Sequence, residues 1–258
     1  RMRHSATAAI FERKDVIIVA SVSAIYSLGS PEEYSTHTLS IRPGMQKSRE
    51  EVIEKLIEMQ YTRNDVNFER GTFRVKGDVI DVYEVGSSEH ALRIEFFGNE
   101  IERLLFIEPI SGKTIARIDH ELIYPKSHYV ISKDKVQNAI SKIKTELEER
   151  LKELRSEQKI VEAYRLEQRV NFDIEMLEET GFCQGIENYS VYMSDRERGS
   201  TPYSLFDFLG DDFLTVIDES HVTIPQIGGM YNGDKARKDS LIEHGFRLPS
   251  ARDNRPLM

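Results

Sequence analysis

The chain has 258 residues, of which 39% are hydrophobic, and its formal net charge is -9. This length allows a large core and predicts at least two domains. The acidic charge excludes a protein that coats nucleic acid by bulk attraction, so any nucleic-acid site must be local. The single cysteine excludes an internal disulfide, and no apolar run approaches the roughly 20 residues that cross a bilayer. We expect a cytoplasmic protein without membrane contact.

The first segments of the chain predict a helix and then a buried strand. Residues 1–14 form an amphipathic pattern without a start signal, and the chain stops at 255–258 (RPLM) without a closing element. We therefore expect an excerpt from a longer polypeptide. The apolar run 15–21 is typical of a strand covered on both faces in a parallel sheet. Ser30 can then cap a helix whose first position suits Pro31.

The next segment predicts a small α+β module that is inserted into a larger domain at about residues 37–130. A helical pattern gives way to period-two alternation, with turns at Gly77–Asp78 and Gly98–Asn99. The predicted helix and the four strands that follow it are 48–62, 72–76, 79–83, 92–97 and 100–104.

Helical periodicity returns from 132 to 180. Ile140, Leu147, Leu154 and Val161 recur every seven residues. The pattern favours two packed helices with a break near 156–159, and the alternative is a long dimerising coiled coil.

A basic cluster lies within the α+β module of this acidic chain. Its members are Arg63, Arg70, Arg74 and Lys76. Because side chains alternate along a strand, Arg74 and Lys76 are expected on one face. The cluster suits an acidic protein surface or phosphates, and the alternative is an ordinary solvated strand face.

The motif that indicates catalysis follows a second apolar run, 213–217, and consists of Asp218, Glu219, Ser220 and His221. Two acids at the carboxyl end of a strand would lie where open α/β sheets bind ligands. In motor ATPases the first acid holds magnesium and the second orients the attacking water. Ser220 and His221 would couple this site to neighbouring motifs.

The alternative interpretation is that these acids merely begin a loop. Pro225, Gly228 and Gly229 favour an irregular segment after the motif rather than a surface helix. The sequence has no glycine-rich phosphate loop of the form Gly-x-x-x-x-Gly-Lys-Ser/Thr. Without that loop, the acids have no tightly held nucleotide to act on.

Several stretches, taken in order, resemble the UvrB family of bacterial nucleotide excision repair. They are 3–7 (RHSAT), 19–26, 28–34, 70–75, 95–98, 185–190, 218–221 and 245–251. The resemblance runs through nearly all of the chain. It implies an α/β fold: part of a RecA-like (P-loop NTPase) helicase motor domain with a helical elaboration and an inserted α+β partner-binding domain.

The resemblance also implies a division into domains. Residues 1–36 would be part of motor domain 1, 37–130 the inserted domain that binds UvrA, and 131–258 the helical elaboration with the rest of that motor domain. The implied cofactors of the longer protein are ATP and magnesium, with Asp218 as the metal ligand, and neither is expected to bind tightly to this chain alone. The implied partners are UvrA, DNA and UvrC.

By the same resemblance, Arg63, Arg74 and Lys76 match basic positions that contact UvrA. Lys76 stands where an arginine is common and therefore loses bidentate geometry. Glu95 and Phe96 are adjacent candidates, although Phe96 fits the core equally well.

Residues at four positions match a DNA path in the family: Arg3, Arg169, Glu187 and Arg247. Arg169 could instead pair with Glu167 or Asp173. Tyr189 and Tyr192 could stack on bases, and the alternative for both is packing.

The implied function is nucleotide excision repair, in which the protein binds UvrA and DNA and uses ATP to verify damage before incision. This chain is expected to keep UvrA binding and to lack ATP hydrolysis. Two alternatives stay open. One is a motor like the transcription-repair coupling factor, which shares the α+β module but departs from Asp-Glu-Ser-His. The other is a protein-interaction module with vestigial motor acids.

Overall fold

The computed structural model describes residues 1–26, 28–87 and 89–256. The chain divides into two compact units, the first from Arg1–Ile18 and Glu32–Val130 and the second from Val19–Pro31 and the residues after 130. Of the predicted terminus 255–258, the last two residues lie outside the described ranges. The domain boundaries 1–36, 37–130 and 131–258 stay predictions.

The strands lie between residues 39 and 123, and most of the helices precede or follow them. The helices are α1 (Met2–Glu12), α2 (Pro31–Thr36), α3 (Arg49–Glu58), α4 (Lys133–Ser156), α5 (Ile160–Thr180), α6 (Ser190–Met193), α7 (Leu205–Phe208) and α8 (Ser220–Glu243). The strands are β1 (Leu39–Ile41), β2 (Thr62–Arg63), β3 (Thr72–Lys76), β4 (Val79–Tyr83), β5 (Ala91–Phe97), β6 (Glu100–Ile107), β7 (Thr114–Ile118) and β8 (Glu121–Ile123).

The first unit is built on a six-stranded sheet in the order β2-β3-β4-β5-β6-β7. From β3 to β7 each strand pairs antiparallel with the next, while β2 pairs parallel with β3. Strands β1 and β8 form a separate antiparallel pair. The predicted antiparallel module, its helix and its turns at Gly77 and Gly98 are therefore confirmed. Both glycines have positive φ, +57° and +60°, which favours glycine.

One face of this sheet packs against α3 and forms the main core of the unit. Phe73 and Ile94 alternate with polar neighbours, and together with Ile80 they are fully buried beside Val52 and Leu56 of the helix. Burial of such side chains stabilises the unit by about 1.5–3 kcal/mol each. The opposite face of the sheet is consequently free to carry charged side chains.

Helix α3 begins with a reciprocal cap. The Ser48 hydroxyl accepts the Glu51 backbone N–H at 3.2 Å, and the Glu51 carboxylate accepts the Ser48 backbone N–H at 2.6 Å. This arrangement satisfies two backbone donors that a helix start would otherwise leave unpaired.

The second unit contains an α4–α5 helical pair. Both helices bury apolar residues at helical spacing, among them Leu147, Leu154 and Leu166, and the two helices pack against each other. The helices are separated by a turn at 157–159 in which Gln158 has a φ of +61°. The predicted pair of helices with a break near 156–159 is confirmed.

Two predicted strands are wrong. Residues 15–21 and 213–217 have no strand structure, and Leu214 and Val216 are 88% and 82% exposed. A strand needs a neighbouring strand to pair its backbone groups, and the described residues place none beside either run. Mixed α/β structure is present, but the parallel sheet expected from these runs is not found in the described ranges.

The segment after the acidic motif also differs from its prediction. Pro225, Gly228 and Gly229 lie inside α8, a helix of 24 residues, rather than in an irregular segment. Pro225 is the sixth residue of α8, so its missing N–H leaves the His221 carbonyl without the usual i−4 donor.

Candidate partner-binding face

The outer face of the sheet carries a line of charged side chains across three strands. Arg74 on β3 lies directly opposite Asp81 on β4, and Asp81 lies opposite Arg93 on β5. One row along, Val79 separates Lys76 from Glu95. We call the five charged residues of these two rows, Arg74, Lys76, Asp81, Arg93 and Glu95, the basic face.

Asp81 is the centre of the basic face. Its side chain is 3% exposed, and its two carboxylate oxygens accept hydrogen bonds from both neighbouring arginines. Arg74 donates through Nε to Oδ2 at 2.9 Å. Arg93 donates through Nε to Oδ1 at 2.7 Å and through Nη2 to Oδ2 at 3.0 Å. The hydrogen bond to Asp81 raises the pKa of Arg93, and a buried carboxylate is tolerated here because two cations pair with it.

Aromatic rings support the arginines from the side. The guanidinium of Arg74 lies over the ring of Phe68, 4.2 Å from its centre, and that of Arg70 lies 5.1 Å from the centre of the Tyr83 ring. Phe68 and Tyr83 pack against each other with centroids 5.7 Å apart. These stacked contacts restrict the side chains to few rotamers.

The basic face encloses an open depression of about 180 Å³, lined by Arg74, Lys76, Val79, Asp81 and Arg93. Three cations and one carboxylate line it, so the lining carries an excess of two positive charges. Guanidinium and ammonium donors at such a surface favour a carboxylate or a phosphate from a partner.

Arg63 and Glu95 are held by ion pairs of their own. Arg63 on β2 pairs with Asp65 at 3.0 Å, and the second oxygen of Asp65 accepts the Val75 backbone N–H at 2.9 Å, which ties this pair to β3. Glu95 pairs with Arg103 on β6 at 2.8 Å.

Phe96 is placed in the core rather than on the surface. Its side chain is 6% exposed among the core residues, whereas the next residue, Phe97, is 81% exposed. Inward and outward side chains alternate along β5, so Phe96 lies on the buried side with Ile94, and Phe97 lies on the outer side with Glu95. The structure therefore offers Phe97 as the surface aromatic on this strand.

Sequence reasoning did not single out Asp81, Arg93 or Phe97. Arg93 and Glu95 alternate on β5 in the same way that Arg74 and Lys76 alternate on β3, and that signal was available. The position of Asp81 between two arginines depends on strand register, which no local pattern reveals.

The acidic motif lies on an exposed turn at the start of α8. Asp218 accepts the backbone N–H of Glu219 on its own Oδ1 at 3.0 Å, and Glu219 pairs with His221 at 3.4 Å. Glu219 has a φ of +46° and precedes Ser220, the first helical residue. The motif therefore lies at the start of a helix instead of at the end of a strand.

These side chains do not by themselves fit a magnesium-nucleotide site. Asp218 and Glu219 are exposed, and no group of three or more possible metal ligands forms among the residues that the structure describes. Backbone donors of a glycine-rich loop, which would hold phosphates, are also missing from the sequence. We therefore derive no catalytic step from this motif.

Three of the four predicted DNA residues come together in the second unit, while Arg3 lies in the first. Arg169 donates to Asp173 at 3.1 Å and to the Gln184 carbonyl at 2.9 Å. Gly185 has a φ of +87°, and a Cβ there would lie 3.9 Å from Nη2 of Arg247. Glu187 follows two residues later in a short 3₁₀ helix.

For Tyr189 and Arg169 the structure shows the alternatives to DNA contact, which are packing and ion pairing. The Tyr189 hydroxyl donates to Asp173 at 2.7 Å and its ring is buried, so it does not stack on a base. Arg169 is held by Asp173, as the pairing alternative expects. The Tyr192 hydroxyl accepts from Arg198 at 3.2 Å.

No helix in the described part of the chain is both long and apolar enough to span a membrane.

Comparison with known proteins identifies the family. Two family models match, the UvrB interaction domain over residues 39–129 and the UvrB third helical domain over residues 134–195. The UvrABC system protein B of Caldicellulosiruptor bescii is 62% identical over 257 residues, which are 100% of this chain and 39% of that protein. The same protein of Caldicellulosiruptor saccharolyticus is 61% identical, and that of Staphylococcus aureus strain Mu50 is 57% identical, with the same shares covered.

The chain thus spans about two fifths of the length of the curated relatives it matches (39%). Identity above one half extends along the whole chain, and the antiparallel module with the basic face falls within the range of the interaction-domain model. The chain belongs to the UvrB family.

Proposed function

We propose that this chain is the part of a UvrB subunit that binds UvrA during nucleotide excision repair, and that the basic face makes the contact. The observation that carries the proposal is the pair of guanidiniums of Arg74 and Arg93 held on either side of Asp81, with Lys76 beside them. The match of the surrounding residues to a UvrB interaction domain supports the same conclusion.

The face is suited to an acidic partner surface for two reasons. Paired guanidiniums donate parallel N–H bonds to a carboxylate, which gives both direction and strength. Lys76 is exposed and adds a compact charge that attracts such a partner over a longer distance. The chain as a whole is acidic, so attraction of an acidic partner must come from a local surface such as this one.

Arg74→Ala tests the proposal. We expect the variant to bind UvrA of Caldicellulosiruptor bescii about 30-fold more weakly than the unaltered chain, which corresponds to about 2 kcal/mol, as for an arginine at the centre of an interface. Asp81 keeps Arg93 as a partner in this variant, so the fold is retained. Surface-immobilised UvrA and the full 258-residue chain give the affinity by biolayer interferometry.

The matched control is Lys152→Ala, which removes one positive charge from an exposed position on α4. It should bind UvrA as the unaltered chain does. Equal affinity for the Arg74 and Lys152 variants, or no UvrA binding by the unaltered chain, would contradict the proposed function.

A second role, contact with DNA, is supported by the grouping of Arg169, Glu187 and Arg247. Arg247 lies beside Gly185, whose missing side chain allows a close approach of backbone and ligand. Arg247→Ala should weaken DNA binding at all sequences. It should also reduce the steepness with which the logarithm of the binding constant falls with the logarithm of salt concentration, the salt slope, by about one. An unchanged salt slope in a fluorescence-anisotropy titration would count against this role.

The RecA-like motor character of the segments outside the α+β module is also part of the proposal. We infer that Asp218 and Glu219 belong to half of a nucleotide site, whose other half is a phosphate loop that this sequence lacks. The chain alone should therefore give no ATP turnover above buffer in a phosphate-release assay. Turnover that Asp218→Asn abolishes would overturn this inference, and it would also exclude a module with vestigial acids.

A further inference from the structure

We propose that Asp81 is a positioning residue that fixes Arg74 and Arg93 in the orientation needed to receive carboxylates of a protein partner. This inference rests on the proposed function, because it assigns a role within the same face. The inference adds that the one buried charged side chain among the five residues of the basic face is an acid. This acid would support binding to an acidic partner surface.

The geometry gives Asp81 contacts with both arginines at once. Nε and Nη2 of Arg74 each lie 2.9 Å from Oδ2, and Nε and Nη2 of Arg93 lie 2.7 Å from Oδ1 and 3.0 Å from Oδ2. A guanidinium has five N–H donors. Each arginine therefore directs part of its donors to Asp81 and keeps the others for a partner.

The exposure of the three side chains gives the direction of the remaining donors. Asp81 is 3% exposed, whereas Arg74 and Arg93 are 15% and 24% exposed. The carboxylate therefore lies beneath the guanidiniums, and the open depression above them is where a partner's carboxylate can enter.

When two long side chains are already fixed before binding, association costs less conformational entropy. Free arginines lose rotamer freedom when a partner captures them, and pre-organisation removes much of that cost. Phe68 restrains Arg74 from the side, while Arg93 has Asp81 as its ion-pair partner among the described residues. Arg93 should accordingly depend on Asp81 more than Arg74 does.

Because Asp81 is negatively charged, its positioning role can be distinguished from simple electrostatic attraction of the partner. A face that acted only by attraction would bind an acidic partner better without this acid. Asp81→Asn removes one negative charge, which is the anion that holds both arginines. Positioning therefore predicts faster dissociation, whereas attraction alone predicts faster association with unchanged dissociation.

The binding experiment compares Asp81→Asn with Asp78→Asn, using UvrA of Caldicellulosiruptor bescii as the probe and the full chain. Asp78 lies in the β3–β4 turn, is 83% exposed, and its substitution makes the same change of charge. We expect dissociation about 10-fold faster for the Asp81 variant without slower association. The Asp78 variant should dissociate as the unaltered chain does.

A third variant covers the case in which Asp81→Asn folds poorly. Arg93→Lys keeps the charge and Asp81 but loses the two-pronged contact, so it should also dissociate faster. Combining Arg93→Lys with Asp81→Asn should speed dissociation little further, because both changes break the same contact between Arg93 and Asp81. Fully additive effects, or unchanged dissociation in Asp81→Asn and in Arg93→Lys, would overturn the inference.

A readout without a partner separates this inference from the proposed function. The Nε–H signals of Arg74 and Arg93 in ¹⁵N NMR spectra should exchange slowly in the unaltered chain and rapidly in Asp81→Asn. If the unaltered chain fails to bind UvrA, the proposed function is contradicted, and slow exchange lost on substitution still supports fixation by Asp81. Slow exchange that persists in Asp81→Asn would overturn the inference.

Discussion

Gly245 lies where the chain after α8 passes the first turn of α5. Its φ is +72°, and an added Cβ would meet the carbonyl oxygen of Glu162 and approach its carbonyl carbon to 2.8 Å. Neither the backbone conformation nor the available space admits a side chain. Glycine is required here by two independent constraints.

Gly245→Ala should lower the free energy of unfolding by at least about 3 kcal/mol, because backbone strain and steric overlap add. The matched control is Gly210→Ala, since Gly210 has the same φ of +72° and open space around it. That control should lose only about 1–2 kcal/mol from backbone strain. Urea titrations measure both, and equal losses would show that the close approach to Glu162 is not present.

Glu84 lies beside a small enclosed space in the first unit, lined among others by His4, Tyr34 and Tyr61. Desolvation, together with the charge of Glu121, raises the pKa of Glu84 to about 8. Desolvation lowers the pKa of His4 to about 4. The two kinds of group affect stability in opposite directions as pH changes.

The sign of each contribution follows from proton binding. Above pH 4.5 the folded state holds the Glu84 proton longer than the unfolded chain does, so stability falls as pH rises toward 8. His4 contributes stability that is present above pH 6.5 and is lost as pH falls toward 4. The window from 6.5 to 8 therefore isolates the carboxyl groups.

Glu84→Gln should reduce the fall in unfolding free energy across that window. We expect the unaltered chain to lose roughly 1–2 kcal/mol through Glu84 between pH 6.5 and 8, given about 1.4 kcal/mol per unit of pKa. Urea titrations at four pH values measure the slope. Glu102→Gln, at a half-exposed position on β6, is the control and should leave the slope unchanged. The same slope in Glu84→Gln would disprove the assignment.

At the scale of elements, strands that pair with their neighbours in sequence could be predicted, and isolated apolar runs could not. The β3–β4 and β5–β6 hairpins carry their alternation and their turn glycines in the local sequence. The run 213–217 has strand composition, but pairing depends on a partner strand elsewhere. Composition alone therefore overestimated the sheet.

Hydrogen exchange tests this difference between elements. Backbone amides of 213–217 should exchange without protection, because no strand pairs with them in the described residues. Amides of β5, which is bonded to β4 and β6, should exchange at least about 1000-fold more slowly. Protection of 213–217 equal to that of β5 would restore the strand interpretation.

The candidate site was predictable to the same extent. Alternation placed Arg74 and Lys76 on one strand face, and the structure agrees. Strand register decides the position of Asp81 between two arginines, whereas alternation along β5 places Phe96 inside and Phe97 outside. The position of Asp81 is not a property of a single segment and could not be read from one, whereas the alternation that buries Phe96 could.

At the scale of the whole molecule, an acidic chain with a net charge of -9 carries one locally basic sheet face. This contrast gives the proposed partner one surface to recognise and keeps non-specific attraction to nucleic acid low. The chain has 39% of the length of its relatives, and the basic face lies within a unit that has its own core.

The measurement that tests the central claim most directly is a lysine-reactivity footprint of the full chain with and without UvrA, read by mass spectrometry. If the basic face is the contact, acetylation of Lys76 should slow at least about fivefold in the complex, because an interface excludes solvent and reagent from its buried centre. Lys152 on α4 should react at the same rate in both samples. Complex formation that leaves Lys76 as reactive as in the free chain would contradict the account.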